Sequence, residues 1–172
     1  DRDKEKVKLL GVSAKYIDSL KKLNLKIKSK FKLKNLKVLC STGSPLSNEG
    51  FEYIYKNVKK NVHLSSISGG TDIVSCFVLG NIYQPVYSGE IQANGLGLDV
   101  KVYSEKGKSK INQKGELVCC SPFPCVPIKF WKDSNNKKFE KAYFKRFKNT
   151  WHHGDYALKT NRGGYIIYGL SL

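Results

Sequence analysis

Methionine is absent from the sequence, and so is any run of about eighteen apolar residues. The second absence excludes a transmembrane helix from the sequence reading. No signal-peptide pattern opens the chain. The missing methionine, the start at Asp1 and the strand-like ending at residues 165–172 lead us to expect a piece of a longer protein. Arginine is scarce too: nearly all of the 31 basic side chains are lysine, whereas phosphate and base readout favour arginine. Five cysteines occur, but no Cys-x-x-Cys pair, which excludes zinc held at the usual spacing. An odd cysteine count, mostly in apolar runs, points to a reducing compartment, and the cytoplasm is expected.

The formal net charge is +17, but its distribution argues against a nucleic-acid partner. Residues 1–37 carry 13 basic and 4 acidic side chains, and residues 101–148 carry the same numbers. Residues 38–100, where the glycine-rich turns lie, carry 3 basic and 5 acidic ones. A lysine- and asparagine-rich coding bias is the plainer source of the charge. A basic surface still attracts polyanions non-specifically, so a nucleic-acid binder stays as a rival reading.

At 172 residues the chain can hold one domain or two small ones. Ser13 reads as a helix N-cap, with Tyr16, Ile17, Leu20 and Leu23 at helical spacing to about Leu25. Residues 26–37 form a basic connector. Residues 37–41 read as a short buried strand, followed by the turn Thr42-Gly43-Ser44-Pro45-Leu46. Ser47 caps a helix in which Phe51, Ile54, Tyr55 and Val58 share one face, and a strand follows at residues 62–67. Strand, helix, strand over residues 37–67 is a βαβ unit, implying a parallel pair. The loops at 42–46 and 68–72 should then lie side by side.

That second strand is expected to stop at Ser68-Gly69-Gly70-Thr71-Asp72, the stretch on which the rest depends. Glycines let a backbone turn tightly and let a ligand approach it. A hydroxyl and a carboxylate at such a turn suit a phosphate oxygen and a magnesium ion. An ordinary Gly-Gly turn with Asp72 as a helix cap is the alternative. After Gly80 the pattern turns to short strands, expected at residues 89–93, 98–103, 116–120 and 128–131, with a hairpin turn at Glu105-Lys106-Gly107. Residues 132–147 read as a loop leading into a short helix. Trp151-His152-His153-Gly154-Asp155 reads as a second Gly-Asp turn, and residues 165–168 as a last strand. The fold class is therefore α/β: a parallel βαβ portion over residues 1–80, then an antiparallel, barrel-like portion over 81–172. No internal repeat is present.

Several familiar chemistries do not fit. His152 and His153 are adjacent and diverge in an extended chain, so a shared metal with Asp155 and His63 is disfavoured. Ser44 and Ser68 lack a Gly-x-Ser-x-Gly elbow. Thr42–Leu46 lacks the Gly-Lys-Ser/Thr of a P-loop.

What remains is an ordered set of four turns: Thr42-Gly43-Ser44-Pro45, Gly69-Gly70-Thr71-Asp72, His153-Gly154-Asp155 and Tyr168-Gly169. With the stretches STGSPLSNEGF, HLSSISGGTDIVSCFVLGN, PVYSGEIQANGLGLDVKVY, KGELVCCSPFP, WHHGDYA and GGYIIYG, this set resembles the adenylate-forming superfamily of acyl-CoA synthetases, luciferases and peptide-synthetase adenylation domains. The match is close to the members that activate acetoacetate, and runs from about Gly11 to Gly169. The resemblance implies an ATP-dependent acid–thiol ligase that forms acetoacetyl-AMP and pyrophosphate and then passes the acyl group to CoA. It would place Gly43, Ser44 and Pro45 at the adenine, and Gly70 and Thr71 at the α-phosphate. Asp72 would stand near Mg²⁺, in place of the usual Glu, and Asp155 would take the ribose hydroxyls. Ser68 and Gly69 would border the acyl pocket, Gly69 by leaving room for a four-carbon acid. The Gly-rich phosphate loop of the superfamily is expected before residue 1, and its small domain with a catalytic Lys after residue 172. Where the superfamily has a Gly-Arg-x-Asp hinge, this chain reads Gly169-Leu170-Ser171-Leu172. A ligase for another short or medium acid and a catalytically dead nucleotide-binding relative are the alternatives.

Overall fold

A computed structural model describes residues 5–171; Leu172, the last position of the departure from the hinge pattern, lies outside them. Two compact units divide the chain. The first comprises Asp1–Ser68 and Gly80–Gln92, the second Gly69–Leu79 and Ala93–Leu172. The simple division expected at residues 80/81 is thus interleaved, because the segment after the Gly-Gly pair runs into the sheets of the second unit.

The first unit is built on β1 (Leu9–Ser13), β2 (Val38–Thr42) and β3 (His63–Ser66), a parallel sheet in that order. Ser13 ends β1 and caps α1 (Ala14–Lys22), its hydroxyl accepting from the Tyr16 N–H at 3.1 Å. A short α2 (Ile27–Lys30) interrupts the basic connector. The expected βαβ unit forms: β2, then α3 (Asn48–Tyr53), then β3, with Leu39 opposite Leu64 in register. Ser47 caps α3 through the Gly50 N–H at 3.2 Å. Past Tyr53 the helix widens into a π turn over Ile54–Val58, closed by Lys59 N–H to the Ile54 carbonyl. Ala14, Ile17, Leu39, Phe51, Ile54 and Leu64 are buried in one apolar core.

The strand expected to run to the glycines breaks earlier. β3 ends at Ser66, and β4 (Ser68–Gly70) begins a different sheet, ordered β4-β5-β6 with β5 (Ser75–Leu79) and β6 (Ala93–Asn94). In the second unit a four-stranded antiparallel sheet follows in the order β10-β9-β8-β7, from β7 (Val100–Tyr103), β8 (Lys114–Cys119), β9 (Trp151–Lys159) and β10 (Tyr165–Leu170). Val100 and Val102 are fully buried while Lys101 and Tyr103 are half-buried, as strict alternation requires. The turn at Glu105-Lys106-Gly107 is present, Gly107 having φ +69°.

Two expected strands do not form. Residues 89–93 contribute only Ala93 to β6, and residues 128–131 are loop, with Ile128 and Trp131 exposed. In the second, a β-prone composition lacks a neighbouring strand to pair with, and propensity without a partner makes no sheet. The loop leads, as expected, into α4 (Lys137–Tyr143), whose first turn is held by the buried Asp133: its carboxylate accepts from the N–H groups of Lys138 (3.1 Å) and Phe139 (2.9 Å). Trp151 is at the centre of the unit's aromatic core. Tyr143 stacks on it at 3.7 Å and 13°, and Phe123, Phe139 and Phe144 meet it edge-on at 5.5–6.2 Å.

Candidate active site

The stretch from Gly69 to Val74 is held by close packing of main chain. A side chain at Gly69 would fall on the Ser75 carbonyl oxygen and the Cys76 Cα, so glycine is what lets β4 approach β5. The direction that the sequence reading treats as room for an acyl group is therefore filled by backbone, and Gly69 has only main-chain atoms to offer a ligand. Beyond Gly70, Thr71–Ile73 make one 3₁₀ turn, closed by the Val74 N–H on the Thr71 carbonyl at 3.2 Å. Thr71 and Asp72 are both exposed on this turn. Val74 sits in the left-handed region at φ +48° with its side chain in solvent. For a β-branched residue this conformation costs on the order of 1–3 kcal/mol and persists only where the surroundings impose it.

The second motif is not a turn between elements, as the sequence suggested, but a bulge inside β9. Glu116 pairs with Tyr156 and Val118 with His152, so His153, Gly154 and Asp155 together face the single residue Leu117. Gly154 takes φ +90°, which an L side chain rarely adopts. The Gly154 carbonyl accepts from the Ser171 N–H (2.7 Å) and the Ser171 hydroxyl (3.1 Å), pinning the bulge to the end of β10. Bulges re-aim side chains, and here the two histidines part company. His152 Nε2 lies 2.9 Å from the buried Glu116 carboxylate, which also pairs with Arg146 at 2.8 Å. His153 packs edge-on against Phe77 at 4.7 Å, with its Nε2 3.7 Å from Asp155 Oδ2. It also bonds the Gly69 backbone, and burial lowers its pKa despite the opposing pull of Asp155.

These facts join two motifs through Gly70 and His153, 83 residues apart. A Cβ at Gly70 would lie 2.9 Å from His153 Cε1, so Gly70 and the imidazole are in direct contact. Thr71, Asp72, His153 and Asp155 thereby belong to one neighbourhood of the second unit.

Sequence reasoning missed one member of that neighbourhood. The Tyr143 hydroxyl, at the end of α4, donates to Asp72 Oδ2. Burial first, then this hydrogen bond, raises the Tyr143 pKa strongly, so the phenol keeps its proton. A tyrosine in a charged, aromatic loop gave no signal in the sequence, because nothing local marks a bond that spans 71 residues. The remaining expected residues lie in the first unit. Gly43 has φ +80° and is exposed, Ser44 is half-buried, Pro45 is exposed, and Ser68 is half-buried at the end of that unit.

For magnesium, implied by the resemblance, Asp72 offers one exposed hard carboxylate whose second oxygen Tyr143 does not engage. Among the described residues no group of three or more His, Cys, Asp or Glu side chains could cage a metal. That donor set fits an ion that keeps its waters and takes one or two carboxylates beside substrate phosphates. An open groove of about 930 Å³ in the second unit is separate from these groups: Lys106, Lys114, Arg146, Tyr156 and Tyr168 line it, and Asp155 does not.

No family model matches the chain. Among curated proteins it is 51% identical over 167 residues to the acetoacetyl-coenzyme A synthetase of Rhizobium meliloti (strain 1021), covering 97% of this chain and 26% of that protein. It is 45% identical over 170 residues to the acetoacetyl-CoA synthetase of Gallus gallus, covering 98% of this chain and 26% of the relative. Among solved structures, the acetoacetyl-CoA synthetase from Streptomyces lividans superposes with a TM-score of 0.90 at 33% identity, covering 99% of this chain and 27% of that one. The anthranilate CoA ligase AuaEII, solved with anthranoyl-AMP, shares the fold at a TM-score of 0.79 and 16% identity, covering 98% of this chain and 30% of its own. The chain thus spans about a quarter of the length of the curated relatives it matches.

Proposed function

We propose that this chain, homologous over nearly its whole length to one segment of the acetoacetyl-CoA synthetases, is part of an ATP-dependent acid–thiol ligase that activates acetoacetate and transfers it to CoA. The single observation that carries the proposal beyond homology is the contact between Gly70 and His153, which gathers Thr71, Asp72 and Asp155 in one place.

In the first half-reaction a carboxylate oxygen of the acid attacks the α-phosphorus of ATP. The bond to the bridging oxygen breaks, pyrophosphate leaves, and the acyl-AMP forms. In the second, the CoA sulfur attacks the acyl carbon and AMP leaves. On this reading Asp155 accepts from the ribose hydroxyls, since charge-assisted bonds to a diol are strong and directional. The Thr71 hydroxyl donates to an α-phosphate oxygen beside the Gly70 backbone. Gly43, Ser44 and Pro45 contact adenine. Ser68 contacts the acid, and Gly69 does so through its main chain. Asp72 would hold Mg²⁺, which supplies charge neutralisation at the phosphates when bound. None of the five cysteines is in a disulfide, which suits the cytoplasmic setting of this reading. No helix among the described residues is long and apolar enough to cross a membrane. Acetoacetate, ATP and CoA are the proposed small-molecule partners, with no nucleic acid.

The test is an assay of the full-length protein with ATP, CoA and a panel of short acids, following pyrophosphate release and thioester products. Acetoacetyl-CoA as the preferred product is the expected result. Another preferred thioester moves the substrate, and nucleotide binding without any thioester makes the protein a non-catalytic relative.

A further inference from the structure

We propose that Tyr143 is a positioning residue for the Asp72 carboxylate, so that helix α4 orients the acid of the candidate active site. The inference rests on the ligase reading for its chemistry and on geometry for its existence.

Asp72 stands exposed on a single 3₁₀ turn. Nothing local fixes such a side chain, and an unrestrained carboxylate divides its time among staggered rotamers. The Tyr143 hydroxyl takes one of its oxygens, Oδ2, and selects the rotamer that reaches it. Tyr143 can do this because its own ring is immobilised. One face is stacked on Trp151 at 3.7 Å and 13°, and Phe130 and Phe139 press on it edge-on at 5.7 and 5.4 Å. Helix α4 is fixed at its other end by the buried Asp133 carboxylate on the Lys138 and Phe139 N–H groups. A rigid aromatic wall therefore ends in one hydroxyl, and that hydroxyl is aimed at Asp72. The same Trp151 begins β9, two residues before His153 and four before Asp155, so one wall sets the position of both carboxylates. The oxygen that Tyr143 leaves, Oδ1, is the one available to a phosphate-bound cation or its water.

Tyr143→Phe separates the hydroxyl from the ring, because phenylalanine keeps the stack. In the full-length protein we expect this variant to lower kcat for pyrophosphate release by about tenfold or more, within the range that positioning groups supply, with the acetoacetate KM unchanged within about twofold. Mn²⁺-ATP affinity, read by the Mn²⁺ electron paramagnetic resonance signal without turnover, should fall several-fold. Asp72→Asn with Tyr143→Phe should be no worse than Asp72→Asn alone. Equal activity and Mn²⁺-ATP affinity in Tyr143→Phe and wild type overturn the inference, as do multiplicative losses in the double variant. A gain of activity in Tyr143→Phe also overturns it, since the bond would then restrain the acid unproductively. If the wild-type protein forms no acyl-AMP or binds no nucleotide, the ligase reading fails by itself. The urea-unfolding cycle of the same three variants then decides the pair. A coupling worth about fivefold in the folding equilibrium constant supports it, and none overturns it.

Discussion

His153 Nε2 and Asp155 Oδ2 lie 3.7 Å apart on either side of Gly154, within the bulge of β9. The imidazole is nevertheless held neutral, because burial outweighs the nearby carboxylate and pushes its pKa below the ordinary 6.5. The unfolded chain takes up this proton first as pH falls. The stability that His153 contributes is therefore fully present above about pH 6.5 and is lost as pH drops from there towards the folded-state value. His63 in the first unit, lowered by burial, acts in the same direction. Urea-unfolding free energies should fall below pH 6.5 at no more than about 1.4 kcal/mol per pH unit for each histidine. His153→Gln should flatten that limb, and an unaltered slope in the variant would show that His153 titrates alike in both states.

Asp155 is the side chain whose loss should weaken nucleotide binding most. Hydrogen bonds to a charged group are worth about 1.5–3 kcal/mol each, so Asp155→Ala in the full-length protein should raise the ATP KM by about tenfold or more. The acetoacetate KM should move little. An unchanged ATP KM would remove Asp155 from the ribose.

The βαβ unit of the first sheet was legible from residues 37–67 because its pattern is local: a Ser47 cap, apolar residues at helical spacing, and two short apolar runs. Strand β1 was not legible. Leu9–Ser13 has a glycine at its centre and a charged run before it, and it is a strand because β2 pairs with it in parallel. The motif at residues 151–155 was read as a turn, and it is a bulge inside a strand. Glycine beside Asp signals a positive φ, but only the register of β8 against β9 reveals a bulge. Gly69 shows the same limit, since the sequence cannot distinguish a glycine that makes room for a ligand from one that admits another backbone. The Tyr143–Asp72 bond lies beyond any local pattern.

Gly69 and Gly11 should respond oppositely to one methyl group. At Gly69 a Cβ would fall on the β5 backbone, which cannot yield as a flexible side chain can. Gly69→Ala should cost about 1–3 kcal/mol or more by overpacking, and Gly69→Trp should disrupt the unit rather than retune acid preference. Gly11 is exposed in β1 with nothing within 4 Å of an added Cβ and no positive φ. Gly11→Ala should be neutral or stabilise by up to about 1 kcal/mol by narrowing the unfolded ensemble. Urea midpoints of the two alanine variants are the measurement, and similar shifts in both would refute the contrast.

Glu116, on β8, is the buried acid on which Arg146, in the loop after α4, and His152, on β9, converge, at 2.8 and 2.9 Å. Its side chain is 5% exposed, while that of Arg146 is 37% exposed. The guanidinium therefore reaches in from solvent to a carboxylate that cannot reach out. Removing the cation leaves the buried charge to His152 alone. Removing the charge leaves a neutral group that still hydrogen-bonds. An orphaned buried charge costs more than the loss of an exposed partner, so Arg146→Met should destabilise the chain by about 1–3 kcal/mol, and Glu116→Gln by less. Combining the two should restore part of the loss, because the introduced thioether side chain then faces an amide instead of a carboxylate. Unfolding free energies at low and high salt are the check. The Arg146→Met effect should persist at high salt, since burial shields the pair from screening. An effect that vanishes with salt would show the pair to be a surface contact of little worth.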